Sequence, residues 1–411
     1  MFGLLLIALL AISGSSALAV NPDVMILRDL EGSKVYDYEK VQPTVILQSE
    51  ETTDANPHEL WIRINTSLLT FELHLMMNRD LLSPDYTQTY IENGKIVYRK
   101  ENYENCYYQG SVVGFPHWSA ALSTCDGLRG AFGDFSNIRC LYHIDPIESI
   151  SDEIQQAHIV YRNGSCGHEH VHKDIPHNFT TKLNVPSDTR IVDLVMISDY
   201  YQYIALGRSL TNDKIYTTGI VNIVNMIYAK VNIRITITGS NSLTDRDDIS
   251  IGSTILTYLY HLASYDKQHL IPLYPHRDAT MMLSAVDFGG SLGIAFRGSA
   301  CSNNQAPVGL TGTKSWTKSH TKADVASTVA HELGHILGLR HTDGRSNCKC
   351  SSPNGKCLMD ATDLSPLSSA WSSCSISDLK MAYNDRLDKC LAKVSSTVET
   401  THLISDERME K

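Results

Sequence analysis

Three histidines and a glutamate stand together in residues 330–341, which read AHELGHILGLRH. His331 and His335 are four positions apart, so on a helix their imidazoles lie one turn apart on the same face. Gly338 allows the helix to end in a left-handed conformation, and His341 then approaches from another direction. Three imidazoles that converge in this way are typical ligands of one catalytic Zn²⁺, which keeps a fourth position open.

Glu332 is expected to act beside this ion. It lies about 100° around the helix from His331, so it reaches a water molecule near the metal more easily than the metal itself. The pattern predicts that Glu332 takes a proton from the attacking water and passes it to the leaving amine. The alternatives are core histidines or a structural zinc site, but a structural site would supply a fourth protein ligand.

The elements that must position these residues are predicted in the second half of the chain. The strands are 190–197, 231–238, 281–286 and 292–296, and the helices are 213–230 and 249–264. This alternation implies a mixed α+β and α/β class, with a mostly parallel twisted sheet packed by helices. A last helix is predicted near 376–389, with Ser375 and Asp378 in a capping box.

The first half is predicted to be mainly β. Residues 59–64 and 71–75 alternate apolar and polar side chains, as half-buried strands do. Asn93-Gly94 lies between two further strand-like segments and indicates a two-residue hairpin turn. A polar stretch at 163–187 is interpreted as a linker between the two halves.

Composition limits the partners of the chain and its compartment. The chain has 411 residues and a formal net charge of -10. No run of Lys and Arg stands out, which argues against nucleic acid as a partner. Residues 1–12 are apolar, and small residues follow up to Ala17-Leu18-Ala19, as in a secretory signal. The apolar stretch is short of the roughly 20 apolar residues that span a bilayer. An uncleaved anchor is the alternative; we expect a secreted, extracellular monomer without a stable membrane anchor.

Ten cysteines and three glycosylation sequons favour the secretory route. The cysteine count argues for disulfides, because these bonds persist in oxidising compartments. The sequons begin at Asn65, Asn163 and Asn178, which are the predicted glycosylation sites.

Further segments carry a resemblance to a known family. Cys357-Leu358-Met359 follows the histidines as a Met-turn does, and the whole resembles a metzincin protease. Within the metzincins the chain is most similar to the ADAM/reprolysin (adamalysin) group, over residues 60–392 and with no disintegrin module. The matching segments are 292–301, 326–335 and 341–350 in the second half, and 106–112 and 120–130 in the first.

The resemblance implies a metzincin catalytic domain with a smaller C-terminal subdomain, preceded by a mainly β prodomain. Met359 would form a hydrophobic floor beneath the zinc. Gly293, Ile294 and Ala295 would form the edge strand on which an extended peptide substrate binds, and residues 361–364 would line the specificity pocket. The implied division is a signal peptide at 1–19, the prodomain at 20–186, the catalytic domain at 187–395 and a polar tail at 396–411.

The resemblance also implies roles for the cysteines. The implied disulfides are Cys301–Cys390, Cys348–Cys374 and Cys350–Cys357, with Cys106 and Cys125 expected to pair in the first half. Cys166 resembles the family's cysteine switch, whose thiolate occupies the open position on zinc and keeps the precursor latent. The residues before Cys166 depart from the family pattern, and if Cys140 pairs with Cys166 no switch thiol exists.

One zinc ion is the predicted cofactor, and calcium is not predicted. Many relatives hold a structural calcium ion near the ends of the catalytic domain, and Asp193 matches one of its ligands. However, Lys393 stands where an Asn ligand is expected, and Asp278 is displaced from the position of the central acid.

Together these features predict a secreted zinc-dependent endopeptidase that hydrolyses protein or peptide substrates and is made as a latent precursor. The alternative from another class is a catalytically silent or permanently latent secreted binding protein on the same fold. A third hypothesis is a metal hydrolase that acts on a non-peptide. The presence of Glu332 and all three histidines favours the active endopeptidase. No furin-type basic site precedes residue 187, so the activating cut is not predicted.

Overall fold

A computed structural model of the chain describes twelve stretches of residues. They are 37–48, 56–99, 104–136, 141–147, 156–162, 189–245, 249–302, 305–315, 318–350, 352, 356–361 and 368–393. Within them the chain forms two large β-sheets, and helices pack on the second sheet. The signal segment, Cys140, Asn163, Cys166, Asn178, the residues after Ala361 in the predicted pocket and the tail lie outside the described residues.

The strands are numbered in chain order. They are β1 (Asp37–Val41), β2 (Thr44–Gln48), β3 (Glu59–Asn65), β4 (Thr70–Met77), β5 (Leu82–Glu92), β6 (Lys95–Arg99), β7 (Tyr107–Val112), β8 (Ser119–Ser123), β9 (Arg129–Gly133), β10 (Leu141–Pro146), β11 (His158–Arg162), β12 (Arg190–Ser198), β13 (Ile233–Ser242), β14 (Ala279–Ser284), β15 (Gly293–Ala295), β16 (Val308–Gly312), β17 (Lys314–Ser315), β18 (Lys318–Ser319) and β19 (Ala392–Lys393).

The α-helices are likewise numbered in chain order. They are α1 (Tyr200–Ala205), α2 (Leu210–Tyr228), α3 (Ile255–Tyr265), α4 (Ile271–Leu273), α5 (Lys322–Leu337), α6 (Ser373–Ala382) and α7 (Asp388–Cys390). A 3-10 turn (Ala229–Val231) follows α2, and π-helical turns follow α3 (Asp266–Leu270) and α6 (Tyr383–Leu387). Among the described helices, none is long and apolar enough to cross a membrane.

The first sheet has nine antiparallel strands in the order β1-β11-β10-β9-β8-β7-β4-β3-β2. The alternation noted in the sequence is confirmed, since Leu60, Ile62 and Ile64 of β3 are buried while Arg63 and Asn65 face solvent. A period of two buries one face of a strand and leaves the other in water. This sheet therefore builds its own core from the first half of the chain.

The second sheet follows the order β15-β16-β14-β12-β13-β5-β6, and β19 also pairs with β12. Four of its pairings, between β5, β13, β12, β14 and β16, are parallel, while β15 and β6 run antiparallel at the two edges. The mostly parallel sheet with packed helices is confirmed. The predicted apolar face of α2 is buried as well, at Ile220, Ile223, Val224 and Ile227.

The hairpin of β5 and β6 differs from the expected division of the chain. Asn93 and Gly94 adopt positive φ angles of 53° and 68°, as a two-residue turn between paired strands requires, so the hairpin itself is confirmed. Although it comes from the first half of the chain, it pairs through β5 with β13 of the second half. Hydrophobic alternation cannot reveal this, because it predicts a strand but not the sheet that the strand joins.

The start of α6 also differs from the prediction. The N-cap is Ser372, whose side chain accepts a hydrogen bond from the backbone N–H of Ser375, so Ser375 and Asp378 do not form the predicted capping box. Both candidates are serines three residues apart, and the pattern of residue types does not separate them. Asp378 is thus available for the different contacts described below.

Four disulfides lie within the described residues. They join Cys106 to Cys125, Cys301 to Cys390, Cys348 to Cys374 and Cys350 to Cys357. Each bond joins two cysteines of the same half of the chain. The last two bonds tie the segments after His341 to one another and to α6.

Candidate metal centre

Helix α5 carries two of the three histidines. It begins with a capping box in which Thr321 and Asp324 satisfy each other's backbone N–H groups, and it ends at Gly338 with a φ angle of 116°. Only glycine adopts such a conformation readily. The last carbonyls are also bound, since Gly298 N–H donates to His335 O at 2.8 Å and Arg386 Nη2 donates to Leu337 O at 2.8 Å. The helix is therefore fixed at both ends.

The three imidazoles converge as the sequence predicts. Nε2 of His331 lies 3.1 Å from Nε2 of His335 and 3.3 Å from Nε2 of His341, and the His335–His341 distance is 2.9 Å. Ligands about 2.0–2.1 Å from one tetrahedral zinc ion would lie roughly 3.3 Å apart. The donor set therefore fits one small ion that contacts all three nitrogens.

The other ring nitrogens fix the tautomers of the two helical histidines. Nδ1 of His331 donates to Leu358 O at 2.6 Å, and Nδ1 of His335 donates to Leu339 O at 2.9 Å. A carbonyl can only accept, so each Nε2 is left with its lone pair toward the common point. Burial, together with the neighbouring histidines, lowers the pKa of His331 to about 3, and burial lowers that of His335 to about 4. Neutral imidazoles are the form that binds a metal.

Glu332 is buried beside this group, at the wall of the cleft that the histidines line. It is 4% exposed, and its Oε2 has no hydrogen-bond partner among the described residues. Burial raises the pKa of its carboxyl group to about 8. The pocket depends on a glycine of β15, because a Cβ on Gly293 would lie 2.6 Å from Oε1 of Glu332. The edge strand and the predicted base are thus in direct contact.

Met359 packs against the histidine helix, and its expected role as a hydrophobic floor beneath the zinc stays a prediction. It is fully buried, and a Cβ on Gly334 would lie 2.7 Å from its Sδ. Gly334, between Glu332 and His335, therefore allows the sulfur to approach the helix. Tyr228 supports the same turn of the helix by donating its hydroxyl to Ala330 O at 2.8 Å.

Asp378 holds the loop that carries His341, a role that sequence reasoning missed. Its carboxylate accepts hydrogen bonds from the backbone N–H of Arg340 at 3.1 Å and from its Nη2 at 2.6 Å. It also accepts from both terminal nitrogens of Arg345, at 2.8 and 2.9 Å. Burial alone would raise the pKa of Asp378, but these hydrogen bonds lower it to about 2. The turn on either side of His341 is therefore anchored to α6.

The histidines open into a cleft of about 560 Å³. Its wall includes Gly293, Ile294 and Ala295 of β15 together with Ala361, the first residue of the expected specificity pocket. β15 pairs with β16 through Gly293–Thr311, Ile294–Leu310 and Ala295–Gly309 and has no second neighbour in the described sheet. An extended peptide could therefore add to its outer edge.

The remaining predicted residues lie apart from the histidines. Asp193 and Asp278 approach each other near the start of the second sheet, where the backbone N–H of Asp193 donates to Oδ2 of Asp278 at 2.8 Å. Lys393 pairs with Arg190 in the ladder of β19 and β12. Asn65, the described sequon, is solvent-exposed at the end of β3.

Four features together define a metzincin-type catalytic unit. They are the mostly parallel sheet, the helix with its two histidines, the third histidine after a glycine turn and the methionine packed against that helix. The Reprolysin (M12B) family zinc metalloprotease model matches residues 190–394, and the Reprolysin family propeptide model matches residues 35–113. The chain belongs to the reprolysin family of zinc metalloproteases and carries its propeptide.

Individual relatives agree with this assignment. The chain is 26% identical over 345 residues to disintegrin and metalloproteinase domain-containing protein 23 of Homo sapiens, which covers 78% of this chain and 39% of that protein. It is 27% identical over 354 residues to disintegrin and metalloproteinase domain-containing protein 12 of Mus musculus, and this alignment covers 82% of this chain and 38% of that protein. The chain thus spans about two fifths of the length of these curated relatives.

A solved structure also overlaps with the chain. The crystal structure of metalloproteinase-II from Bacteroides fragilis covers 80% of this chain and 92% of that one, at 13% identity and a TM-score of 0.45.

Proposed function

We propose that the chain is a zinc-dependent endopeptidase that cleaves extracellular proteins or peptides and is made as a secreted, latent precursor. The observation that carries the proposal is the geometry of the three Nε2 atoms, which lie 2.9–3.3 Å apart beside a buried carboxyl group. His331, His335 and His341 would hold one zinc ion, with no fourth protein ligand among the described residues.

Bound zinc would supply Lewis-acid activation of water and of the scissile carbonyl. The residues of the chain would hold the ion, transfer the proton and keep the histidine rings in position. A zinc ion held by the histidines would favour the ionised form of the Glu332 carboxyl group, which burial alone disfavours. The carboxylate would then take a proton from water and return it to the leaving nitrogen. The Nδ1 hydrogen bonds of His331 and His335 keep their rings in place during this transfer. The packing of Gly293 against Glu332 limits the positions that its carboxylate can adopt.

The substrate would bind as an additional strand along β15. Residues 293–295 line the cleft and pair with β16 on one side only in the described sheet, and hydrogen bonds to a peptide backbone give affinity that is independent of sequence. Side chains of the substrate would then enter the space near Ala361. This mode of binding favours a peptide over a small non-peptide substrate.

Latency and secretion complete the proposal. Propeptide family membership supports a precursor, and Cys166 is the proposed switch thiol. The apolar segment at 1–19 is the proposed signal, and Asn65, Asn163 and Asn178 are the proposed glycan sites. Secretion of the full chain from cultured cells, with a shift on deglycosylation, would support these assignments, whereas retention of an unmodified chain inside the cell would contradict them.

The proposed activity is tested with the purified chain, after the propeptide has been cut from the catalytic half. Metal content is measured by elemental mass spectrometry, and cleavage is followed with a denatured generic protein. We expect one zinc per chain and measurable cleavage. Glu332→Gln keeps the size of the side chain and should retain the zinc while cleavage falls by roughly a hundredfold or more.

Two outcomes would contradict the proposal. A chain that binds no stoichiometric zinc would have no catalytic metal centre. A chain that binds zinc but shows equally low turnover with Glu332 and with Gln at position 332 would be the catalytically silent binding protein instead. Gly219→Ala serves as a matched control, because a Cβ at Gly219 meets no atom within 4 Å.

A further inference from the structure

The interface between the two halves of the chain goes beyond the proposed activity. Strand β5 of the propeptide region pairs in parallel with β13, from Leu82–Ile237 through to Tyr90–Ser242. Backbone hydrogen bonds continue outside the ladder, since Ile237 N–H donates to Leu81 O at 2.8 Å. The propeptide therefore supplies strands of the catalytic sheet itself.

The two halves also share one hydrophobic core. A single cluster of buried side chains contains members of both halves. Those from the propeptide region are Leu81, Leu82, Cys106, Tyr107, Ala121, Ala131, Phe135 and Leu141, and those from the catalytic half include Val192, Leu194, Ile220 and Ile237. Separation of the halves would return all of this apolar surface to water, which is the dominant cost of taking a core apart.

Asn222 on α2 adds a buried polar connection. It is 1% exposed, and its Nδ2 donates to Tyr108 O at 3.0 Å and to Leu122 O at 3.2 Å. Its Oδ1 accepts from Nδ2 of Asn78 at 3.0 Å. All three partners belong to the propeptide region. Loss of the propeptide would break these three hydrogen bonds, which lie in a site that is buried while the two halves are together.

A charged connection reaches the helix that carries the histidines. Nζ of Lys322, the first residue of α5, lies 2.5 Å from Oδ1 of Asp145 in β10. Asp145 is 7% exposed and also contacts Arg129 and the hydroxyl of Tyr161. Burial alone would raise the pKa of Asp145, but Lys322 and Arg129 hold it below its usual value. The carboxylate of Asp145 therefore stays ionised beside Lys322, although burial lowers the pKa of that lysine.

The cleft lies away from this interface. Every described residue that lines it comes from residues 290–368 of the catalytic half. The described part of the propeptide thus packs on the sheet, on α2 and on the start of α5, and leaves the histidine cleft uncovered. Contacts of this kind stabilise the catalytic half without blocking it.

We infer that the propeptide is a retained subunit: after the activating cut it stays bound to the catalytic half, completes its sheet through β5 and β6 and anchors α5 through Asp145 and Lys322. The exposed edge of β13 that its loss would create is the kind of surface that proteins normally cover or pair. Retention follows from packing and hydrogen bonds alone, so it holds whether or not the chain proves to be a peptidase.

The test uses the full chain with a site for a sequence-specific protease inserted between Lys182 and Leu183. After cutting, a non-reducing denaturing gel verifies that no covalent bond joins the halves. Size-exclusion chromatography of the cut protein at nanomolar concentration, with native mass spectrometry of the peak, then measures association. We expect both halves in one complex of one-to-one stoichiometry that unfolds in a single thermal transition.

Variants at the interface give the rate at which the cut propeptide is released. Asn222→Ala removes three hydrogen bonds, and Lys322→Met removes the ion pair, so each should speed release by roughly tenfold or more. Arg63→Met is the control, because Arg63 pairs with Glu72 within the first sheet, and release should then be unchanged. Before cutting, the melting curve of each variant is compared with that of the wild-type chain. If one interface variant proves misfolded, the other interface variant is used for the release measurement.

Two results would overturn the inference. The first is separate elution of the halves after the cut, with a catalytic half that keeps its folded spectrum. The second is a release rate that neither interface variant changes by more than the control does. Because both readouts are independent of catalysis, an inactive but stably associated protein would contradict the proposed function and leave the retained subunit intact.

Discussion

Asp378 gives the sharpest test of how the metal centre is positioned. It is 3% exposed on α6 and binds both the backbone and the side chain of Arg340, the residue before His341, together with Arg345. Asp378→Asn keeps the shape of the side chain but removes its charge and replaces one acceptor oxygen with a donor. We expect a less stable protein and a looser His341.

The magnitude follows from the pKa. A value of about 2, against the usual 3.8, means that the ionised form of Asp378 is favoured in the folded state. At 1.36 kcal/mol per pKa unit this corresponds to about 2 kcal/mol. Arg340 and Arg345 are 47% and 25% exposed, so screening by water reduces the figure, and a loss of about 1–2 kcal/mol is expected for Asp378→Asn at neutral pH.

The pH dependence has a definite sign. Because the pKa of Asp378 is depressed in the folded state, its contribution is present above about pH 4 and is lost as the pH falls through about 2. The difference in unfolding free energy between the wild type and Asp378→Asn should therefore be largest near neutral pH and shrink below pH 4. Urea unfolding followed by circular dichroism at a series of pH values measures this difference.

The control for this prediction lies close by. Asp385 is 78% exposed and reaches Arg386 only at 3.6 Å, so Asp385→Asn should change the unfolding free energy by less than about 0.5 kcal/mol. Zinc retention during dialysis gives a second readout, in which Asp378→Asn should lose metal faster than the control. Equal stability and equal zinc retention in the two variants would refute the reasoning.

The remaining predictions concern the glycines of the centre and the metal. Gly293→Ala would bring a Cβ within 2.6 Å of Oε1 of Glu332, so turnover should fall at least roughly tenfold with zinc content unchanged; normal turnover would contradict the contact. Gly334→Ala would bring a Cβ within 2.7 Å of Sδ of Met359, and the cost of overpacking, about 1–3 kcal/mol, should outweigh the gain in helix propensity of up to about 1 kcal/mol. The protein should therefore become less stable, whereas Gly219→Ala should stabilise α2. Chemical denaturation of both variants shows whether their unfolding free energies change in opposite directions. Removal of zinc by a chelator should lower the melting temperature and abolish cleavage, and added zinc should restore both. A melting temperature that is the same with and without the chelator would argue against a bound ion.

The histidine cluster could be predicted from the sequence because its geometry is local. Four residues of spacing put His331 and His335 on one face of a helix, and Gly338 ends that helix with the positive φ angle that returns His341. The parallel sheet was predictable for the same reason, since strands and helices are set by short-range periodicity. In both cases the information lies within one or two turns of chain.

The supports of the centre were not predictable, because they depend on distant residues. Asp378 reads as a capping residue of its own helix, yet it binds Arg340, 38 positions earlier in the chain. Gly293 reads as an ordinary edge-strand glycine, yet it makes room for the carboxylate of Glu332. No local pattern marks which buried acid meets which arginine, or which glycine faces which side chain, since tertiary packing decides both.

The hairpin of β5 and β6 shows the same limit at the level of domains and bears on how the centre is held. A division of the chain by sequence puts Leu82–Glu92 with the propeptide, because the hairpin follows strands of that half, but the strand pairs with β13. Helix α5 is then held from both halves of the chain, by Asp145 of the first half at Lys322 and by Arg386 of the second half at Leu337. Because Asp145 holds the first residue of the helix that carries His331 and His335, loss of the first half would change how these histidines are supported, while the described contacts leave access to the cleft unchanged. The proposed latency depends on Cys166, whereas this support depends on β5 and Asp145, so a cut between the halves would end the proposed latency and leave the support in force.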